Sequence, residues 1–343
     1  MQTAGNATAR GPITASAQAA GLALGCLGIL AFSFSFPATK LALDGFDPWL
    51  VAFGRAAVAG LLACAYLAAV RAPRPCRRQL ARLAIVAGGV VVGFPLFTSL
   101  ALVTSDAAHG AVVIAVLPAA TALAAVARAG ERPGVAFWIA ATAGLGIVLA
   151  FVLHEASGAL TAADAFLLAG TACCALGYAE GGALARELGG ARTISWALVL
   201  SLPLSVPVTL LVGAATGLEA GTGAWLGFAY IAAVSMFLGF FAWYAGLARG
   251  GVAQIGQVQL SQPLLTVLWS ALVLGERLTA GMVLAGIGVL ACVAATQRAR
   301  VVVSPRGGRR PSSAAPARRG RRGRRGWPAG SDPGTDSRSR CTP

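Results

Sequence analysis

The sequence predicts an all-α membrane protein in which ten transmembrane helices form two inverted five-helix repeats. Three observations predict it. The 343 residues are 57% hydrophobic and only 11% charged, with a mean hydropathy of +0.74, whereas a soluble domain carries about 25% charged residues. Such a chain cannot cover itself with polar surface, so lipid replaces water around it. Ten apolar runs, moreover, have the length that a helix needs to cross the hydrocarbon, about 20 residues. Finally, one pattern occurs twice. AVLPAATALAAVARAGER places Pro118 thirteen residues before Glu131, and SQPLLTVLWSALVLGER places Pro263 thirteen before Glu276. Shifted by 145 positions, residues 101–150 and 246–295 agree at about thirteen of fifty places, among them Pro118/Pro263, Thr121/Thr266, Leu123/Leu268 and both Gly-Glu-Arg triplets.

Taken in order, residues 1–18 are small and polar without periodicity, which predicts a disordered N-terminus. The first repeat, 19–153, holds apolar runs near 20–39, 49–70, 83–103, 106–129 and 135–153. The second, 163–297, holds runs near 163–184, 196–217, 223–247, 252–274 and 279–297. Each run is read as a helix, because lipid offers no partner to a free backbone N–H or C=O. A cleaved signal peptide is disfavoured: no small-x-small site follows the first run, and its removal leaves an odd number of helices. Residues 298–343 carry thirteen of the 27 basic residues amid Gly, Pro and Ser, which predicts a disordered tail. Held near anionic lipid headgroups, such a tail gains about 1 kcal/mol per Arg. Nucleic acid is an unfavoured partner, since Trp327 is the tail's sole aromatic and stacking platforms are missing.

The arginines orient the spans, because cytoplasmic loops carry the excess of Lys and Arg. With the N-terminus inside, Arg71, Arg74, Arg77, Arg78, Arg82, Arg128, Arg132, Arg186, Arg192 and Arg249 fall on the cytoplasmic side. Only Lys40 and Arg277 fall on the other. The expectation is therefore a multi-pass protein of the plasma membrane with both termini cytoplasmic. Five spans per repeat is an odd number, so the second repeat enters from the opposite face and Arg277 is external where its mate Arg132 is cytoplasmic. A homodimer is left open.

Candidate site residues follow from polarity inside apolar runs. A helical proline donates no N–H and frees the carbonyl four residues earlier, so Pro118 and Pro263 are expected to expose the carbonyls of Ile114 and Gln259 near mid-membrane. Broken helices at matching positions of two halves are the best sequence pointer to a transport site; the plainer reading is a packing kink. Ahead of Pro263 lie Gln254, Gln257, Gln259, Ser261 and Gln262, read as a water-facing wall whose amides hold polar or zwitterionic solutes, or more simply as interhelical glue. Lys40, Arg55 and His109 are substrate-pathway candidates, and His109 and Glu180 are candidates for proton coupling, since ionisable groups within spans are costly. All four also lie close enough to an interface to snorkel. Gly21/Gly25, Gly177/Gly181 and Ala140/Gly144 read as close helix contacts. The seven cysteines form no C-x-x-C pair and read as small hydrophobes, with neither a disulfide framework nor a metal site suggested.

These features together resemble the drug/metabolite transporter superfamily, specifically its EamA-like members. The resemblance rests on Phe36-x-x-x-Lys40 at the end of span one, Arg55 early in span two, and the two Leu-Pro or Gln-Pro runs closing on Gly130-Glu131-Arg132 and Gly275-Glu276-Arg277. It covers roughly 19–297. Span six lacks a counterpart of the Phe36–Lys40 segment. The resemblance implies an inverted five-plus-five bundle around a central cavity lined by spans four and nine. It further implies export of small metabolites such as amino acids, or of toxic compounds, with the Gly-Glu-Arg triplets capping helix ends.

A secondary carrier by alternating access is thus the leading function, driven by protons or by exchange, since no G-x-x-x-x-G-K-[ST] loop exists to cradle a nucleotide. Its partners are a small-molecule substrate and the bilayer; no cofactor is expected. The alternatives are an intramembrane enzyme and a membrane-anchored regulator acting through its basic tail. An H-E-x-x-H zinc protease is incompatible with just two histidines, His109 and His154. Deleting residues 298–343 separates carrier from regulator: solute flux in vesicles is expected to persist, and a regulator would lose its activity.

Overall fold

Apolar helices packed side by side make up the molecule, and the computed structural model describes residues 15–129, 132–155, 160–250, 259–298 and 301–302. Glu131, Gln254, Gln257 and everything beyond Val302 lie outside the described residues. The helices run in order as α1 (Ala15–Ser33), α2 (Ser35–Leu43), α3 (Pro48–Ala69) and α4 (Arg77–Val86). A π-helical stretch (Ala87–Gly93) joins α4 to α5 (Phe94–Thr104), and α6 (Ala107–Ile114), α7 (Leu117–Ala129) and α8 (Val135–Glu155) follow. Then come α9 (Ala162–Leu188), α10 (Gly190–Thr216) and α11 (Thr222–Ala229), which a second π-helical stretch (Tyr230–Leu238) joins to α12 (Gly239–Gly250). A 3-10 turn (Gln259–Ser261) leads into α13 (Gln262–Leu274), and α14 (Ala280–Arg298) completes the set. Two residues of β1 (Arg132–Pro133) pair antiparallel with β2 (Val301–Val302).

Local chemistry sets several boundaries. Asp47 accepts from the Trp49 N–H at 2.8 Å, with Pro48 in the first turn of α3, which satisfies an orphan donor where a missing proline N–H costs nothing. Thr161 and Asp164 form a reciprocal capping box that starts α9. Gly275 ends α13 at φ 68° in the left-handed region, a conformation that glycine adopts without a Cβ clash.

Among the described residues six helical segments are long and apolar enough to cross a membrane: Ala19–Leu43, Pro48–Ala69, Arg77–Thr104, Ala162–Ala185, Gly190–Thr216 and Thr222–Gly246. Four further apolar stretches are shorter: Ala107–Thr121, Trp138–Phe151, Gln262–Leu274 and Ala280–Cys292. The run read as one helix over 106–129 is instead two, broken at Ala115–Val116 ahead of Pro118. Leu61, Leu210, Leu211, Leu226, Leu272 and Leu284 all stand exposed. Large leucines spread over the outer faces of several helices are expected in lipid and not in water.

Two pairs of repeat-related helices pack on one another, α3 against α10 and α8 against α14, while α13 packs against α6, the half-helix that precedes its repeat-mate α7. Small residues allow these approaches. A Cβ on Gly246 of α12 would lie 2.7 Å from the Gly25 nitrogen of α1, and one on Gly89 would lie 2.4 Å from the Cys173 carbonyl oxygen of α9. Gly144 faces Cys292 of α14. Cys26, Cys64, Cys173, Cys174 and Cys292 are free thiols.

Gly246→Leu is expected to wedge α12 from α1 and to lower stability by about 1–3 kcal/mol, the usual cost of overpacking. Gly182→Ala, with nothing within 4 Å of its Cβ position, is expected to be neutral or stabilising. Thermal unfolding in detergent measures both.

Candidate functional site

The breaks converge on one place. In α6 the last regular residue is Ile114, and Pro118 is the second residue of α7. On the other side the 3-10 turn ends at Ser261, and Pro263 is the second residue of α13. Each proline therefore opens a new half-helix, where its absent N–H would be unpaired in any case, rather than kinking a continuous one. The two breaks meet around a small open pocket, about 310 Å³ counting the space at its mouth, lined by Ile114, Leu117, Pro118, Gln259, Gln262 and Pro263. Helix starts supply N–H donors there and the end of α6 supplies carbonyl acceptors.

A larger cavity of about 640 Å³, counting its open mouth, shares Ile114, Leu117, Gln262 and Thr266 with the first. Its apolar wall includes Phe32, Phe36, Phe94, Tyr178 and Phe240. Its polar groups are Ser35, Thr39, Arg55, Thr98 and Ser235, besides Gln262 and Thr266. Both π-helical stretches border it, through Val90 in one and Ser235 and Met236 in the other. Adding 145 to 87–93 gives 232–238, inside the second stretch, so the irregularities occupy matching places in the two repeats. π-Turns are rare and gather at functional sites. The sequence held no signal for them beyond Gly88, Gly89 and Gly93.

Arg55 is the cation of this lining. It is 6% exposed, its Nη2 donates to Ser235 Oγ at 3.4 Å, and its Nε has no hydrogen-bond partner. Ser235 Oγ is 2.6 Å from Ser35 Oγ, and Ser35 Oγ donates to the Ala31 carbonyl. The threonines hold the broken backbone: Thr39 donates to the Ser35 carbonyl and Thr98 to that of Phe94. Thr266 donates to the Ser33 carbonyl at 2.8 Å. Beside it, Trp269 Nε1 donates to Ser33 Oγ at 3.0 Å. These contacts satisfy the break between α1 and α2 at Phe34. No break occurs in α9, the repeat-mate of α1 and α2, which agrees with the missing counterpart of Phe36–Lys40.

The remaining ionisable candidates sit elsewhere. Lys40 Nζ donates to the carbonyls of Leu102 and Ser105 at 2.8 and 2.9 Å, capping the end of α5, where a cation meets the helix dipole. His109 Nε2 is 2.8 Å from Asp164 Oδ1, and Asp164 is 1% exposed. Glu180 is bonded to Arg82, which also holds Glu187. Glu187, beyond the apolar segment of α9, is held below the usual carboxylate range by that hydrogen bond from Arg82. Ser261 closes the 3-10 turn, and Gln254 and Gln257 lie outside the described residues. None of Lys40, His109 and Glu180 lines either cavity.

Glu276 illustrates what the triplet does. Asp106 precedes α6 but makes no side-chain cap. Glu276 Oε1 and Oε2 instead accept the Ala107 and Ala108 N–H groups, both at 2.8 Å. A carboxylate from the second repeat thus closes the helix start of the first, in the stable orientation of charge and dipole.

Apolar outer faces, paired repeats and a cavity between broken helices define a multi-pass membrane transporter. The match to family models agrees: residues 19–153 and 161–296 each match the EamA-like transporter family, and the chain belongs to that family. The protein described as the uncharacterized transporter YdeK of Bacillus subtilis (strain 168) is 46% identical over 274 residues, covering 80% of this chain and 96% of that one. A solved crystal structure with 19% identity superposes with a TM-score of 0.57 over 81% of this chain and 98% of its own, a likeness of fold.

Glu276→Ala is expected to leave two α6 amides unpaired and to lower stability by about 1–3 kcal/mol, as for hydrogen bonds to a charged group. Glu276→Gln, which keeps one acceptor, is expected to lose less. Unfolding in detergent, monitored by circular dichroism, checks the order.

Proposed function

We propose that the protein is a secondary transporter of the plasma membrane, exporting small metabolites or toxic compounds by alternating access. Ten spans form two inverted five-helix repeats, with both termini cytoplasmic. The observation that carries this reading is the cavity formed where two half-helices, each opened by a proline at matching repeat positions, meet between the halves. Discontinuous helices facing each other at a repeat interface are how membrane carriers expose backbone groups to a solute. A surrounding protein wall keeps those groups from lipid.

The inversion draws support from the helix ends. Arg132–Pro133 pairs with Val301–Val302 beyond the end of α14, whereas Glu276 lies just before its start. The 19 residues of α14 separate these points, about 28 Å at 1.5 Å per residue. Arg132 and Arg277, mates in the repeat, therefore belong to opposite faces of the membrane. The drive is a proton gradient or exchange. His109, beside Asp164, and Glu180, held by Arg82, are the two candidates for proton coupling. Gln254 and Gln257, outside the described residues, remain pathway candidates on the polarity of the sequence.

Pro118→Ala and Pro263→Ala are expected to abolish solute uptake into inverted vesicles, the equivalent of export, while insertion is unchanged; undiminished flux in both removes the cavity assignment. Single cysteines at 132 and 277, probed with an impermeant maleimide, are expected to label from opposite sides. Labelling from one side sinks the inverted architecture.

A further inference from the structure

We infer that the cavity recognises a small organic monoanion, a carboxylate on an aromatic or branched apolar body, with Arg55 as its counterion. The inference rests on the transporter reading and names its substrate class. The lining contains one full charge, that of Arg55, and among the described residues no acid pairs with it. A guanidinium remains protonated in proteins. Buried at 6% exposure with Nε unpartnered, it carries a desolvation cost that a neutral serine contact at 3.4 Å does not offset. A planar carboxylate matches the guanidinium fork and makes charge-assisted, bidentate hydrogen bonds. One cation without a second admits one negative charge.

The rest of the wall sorts the solute's other end. Phe32, Phe36, Phe94 and Phe240 face the same space, so the body opposite the carboxylate is apolar, and aromatic edges favour a ring. An ammonium group finds no carboxylate in the described lining; it meets Arg55's like charge instead. A primary amine is therefore rejected, and a zwitterion is weaker than the simple acid. Loading also neutralises the cavity. The occluded carrier then holds an ion pair rather than a bare cation, so the loaded form crosses more readily than the empty one and exchange outruns net efflux.

The test uses the full-length chain, purified in detergent and reconstituted in liposomes, with phenylacetate, phenylalanine, phenethylamine and 2-phenylethanol as probes. Calorimetry is expected to show phenylacetate binding most tightly and phenethylamine not at all. Arg55→Gln is expected to weaken phenylacetate by about 30-fold or more, the loss that follows from removing one partner of a buried charge pair. Arg55→Lys, which keeps the charge without the fork, is expected to lose about tenfold. Because an unpaired buried charge opposes folding, Arg55→Gln is also expected to melt at or above the wild-type temperature when no probe is present; a purely structural arginine would lower it. Labelled phenylacetate is expected to enter liposomes faster when unlabelled phenylacetate is inside. Equal or tighter binding of phenethylamine or phenylalanine, or phenylacetate affinity unchanged in Arg55→Gln, overturns the inference. Flux of another probe without phenylacetate binding sinks the acid site and leaves the carrier standing. Arg55-dependent phenylacetate binding without flux does the reverse.

Discussion

Lipid supplies no hydrogen bonds, and the whole architecture answers to that constraint. A helix may be interrupted inside the membrane only where other protein groups take up the freed backbone. The interruptions in this chain meet that condition. Those before Leu117 and Gln262 face each other, and the one at Phe34 is bound by Thr266 and Trp269 from α13. Placing these irregularities in one location concentrates the free polar groups in the centre and leaves leucine-rich outer faces uninterrupted. The cavity is the consequence.

Charge follows the same logic. Most ionisable groups within apolar segments are matched to an opposite partner: Lys40 to helix-end carbonyls, His109 to Asp164, Arg82 to Glu180 and Glu187, and Glu276 to helix-start amides. These contacts link different helices, and several link the two repeats. Arg55 departs from the pattern by facing a cavity with neutral hydroxyls around it. The contrast between satisfied charges at the periphery and an unsatisfied one at the centre separates groups that hold the bundle together from a group available to a solute.

Much of the candidate site was legible in the sequence. The paired prolines pointed to the crossing because a missing N–H has a fixed structural effect wherever it occurs. Arg55 stood out because a charge in an apolar run is expensive. The polar character of Gln259 and Gln262 was visible for the same reason. Ser35, Thr39, Thr98 and Ser235 gave no such signal, since hydroxyls are inexpensive in helices: the first three donate to the carbonyl one turn back, and Ser235 pairs with Ser35. The π-helical stretches escaped notice too: a one-residue widening of the turn leaves hydrophobic periodicity almost unchanged.

By itself the sequence determined that the chain lives in lipid, that it is helical, and that it contains two related halves, because composition, run length and repetition are properties of the chain alone. Tertiary structure decided which charges were partnered. Lys40, Arg55, His109 and Glu180 look equivalent as isolated ionisable residues in apolar runs. Their separate roles depend on carbonyls, carboxylates and hydroxyls up to 180 positions away, and only the packing of helices brings those within 3.5 Å.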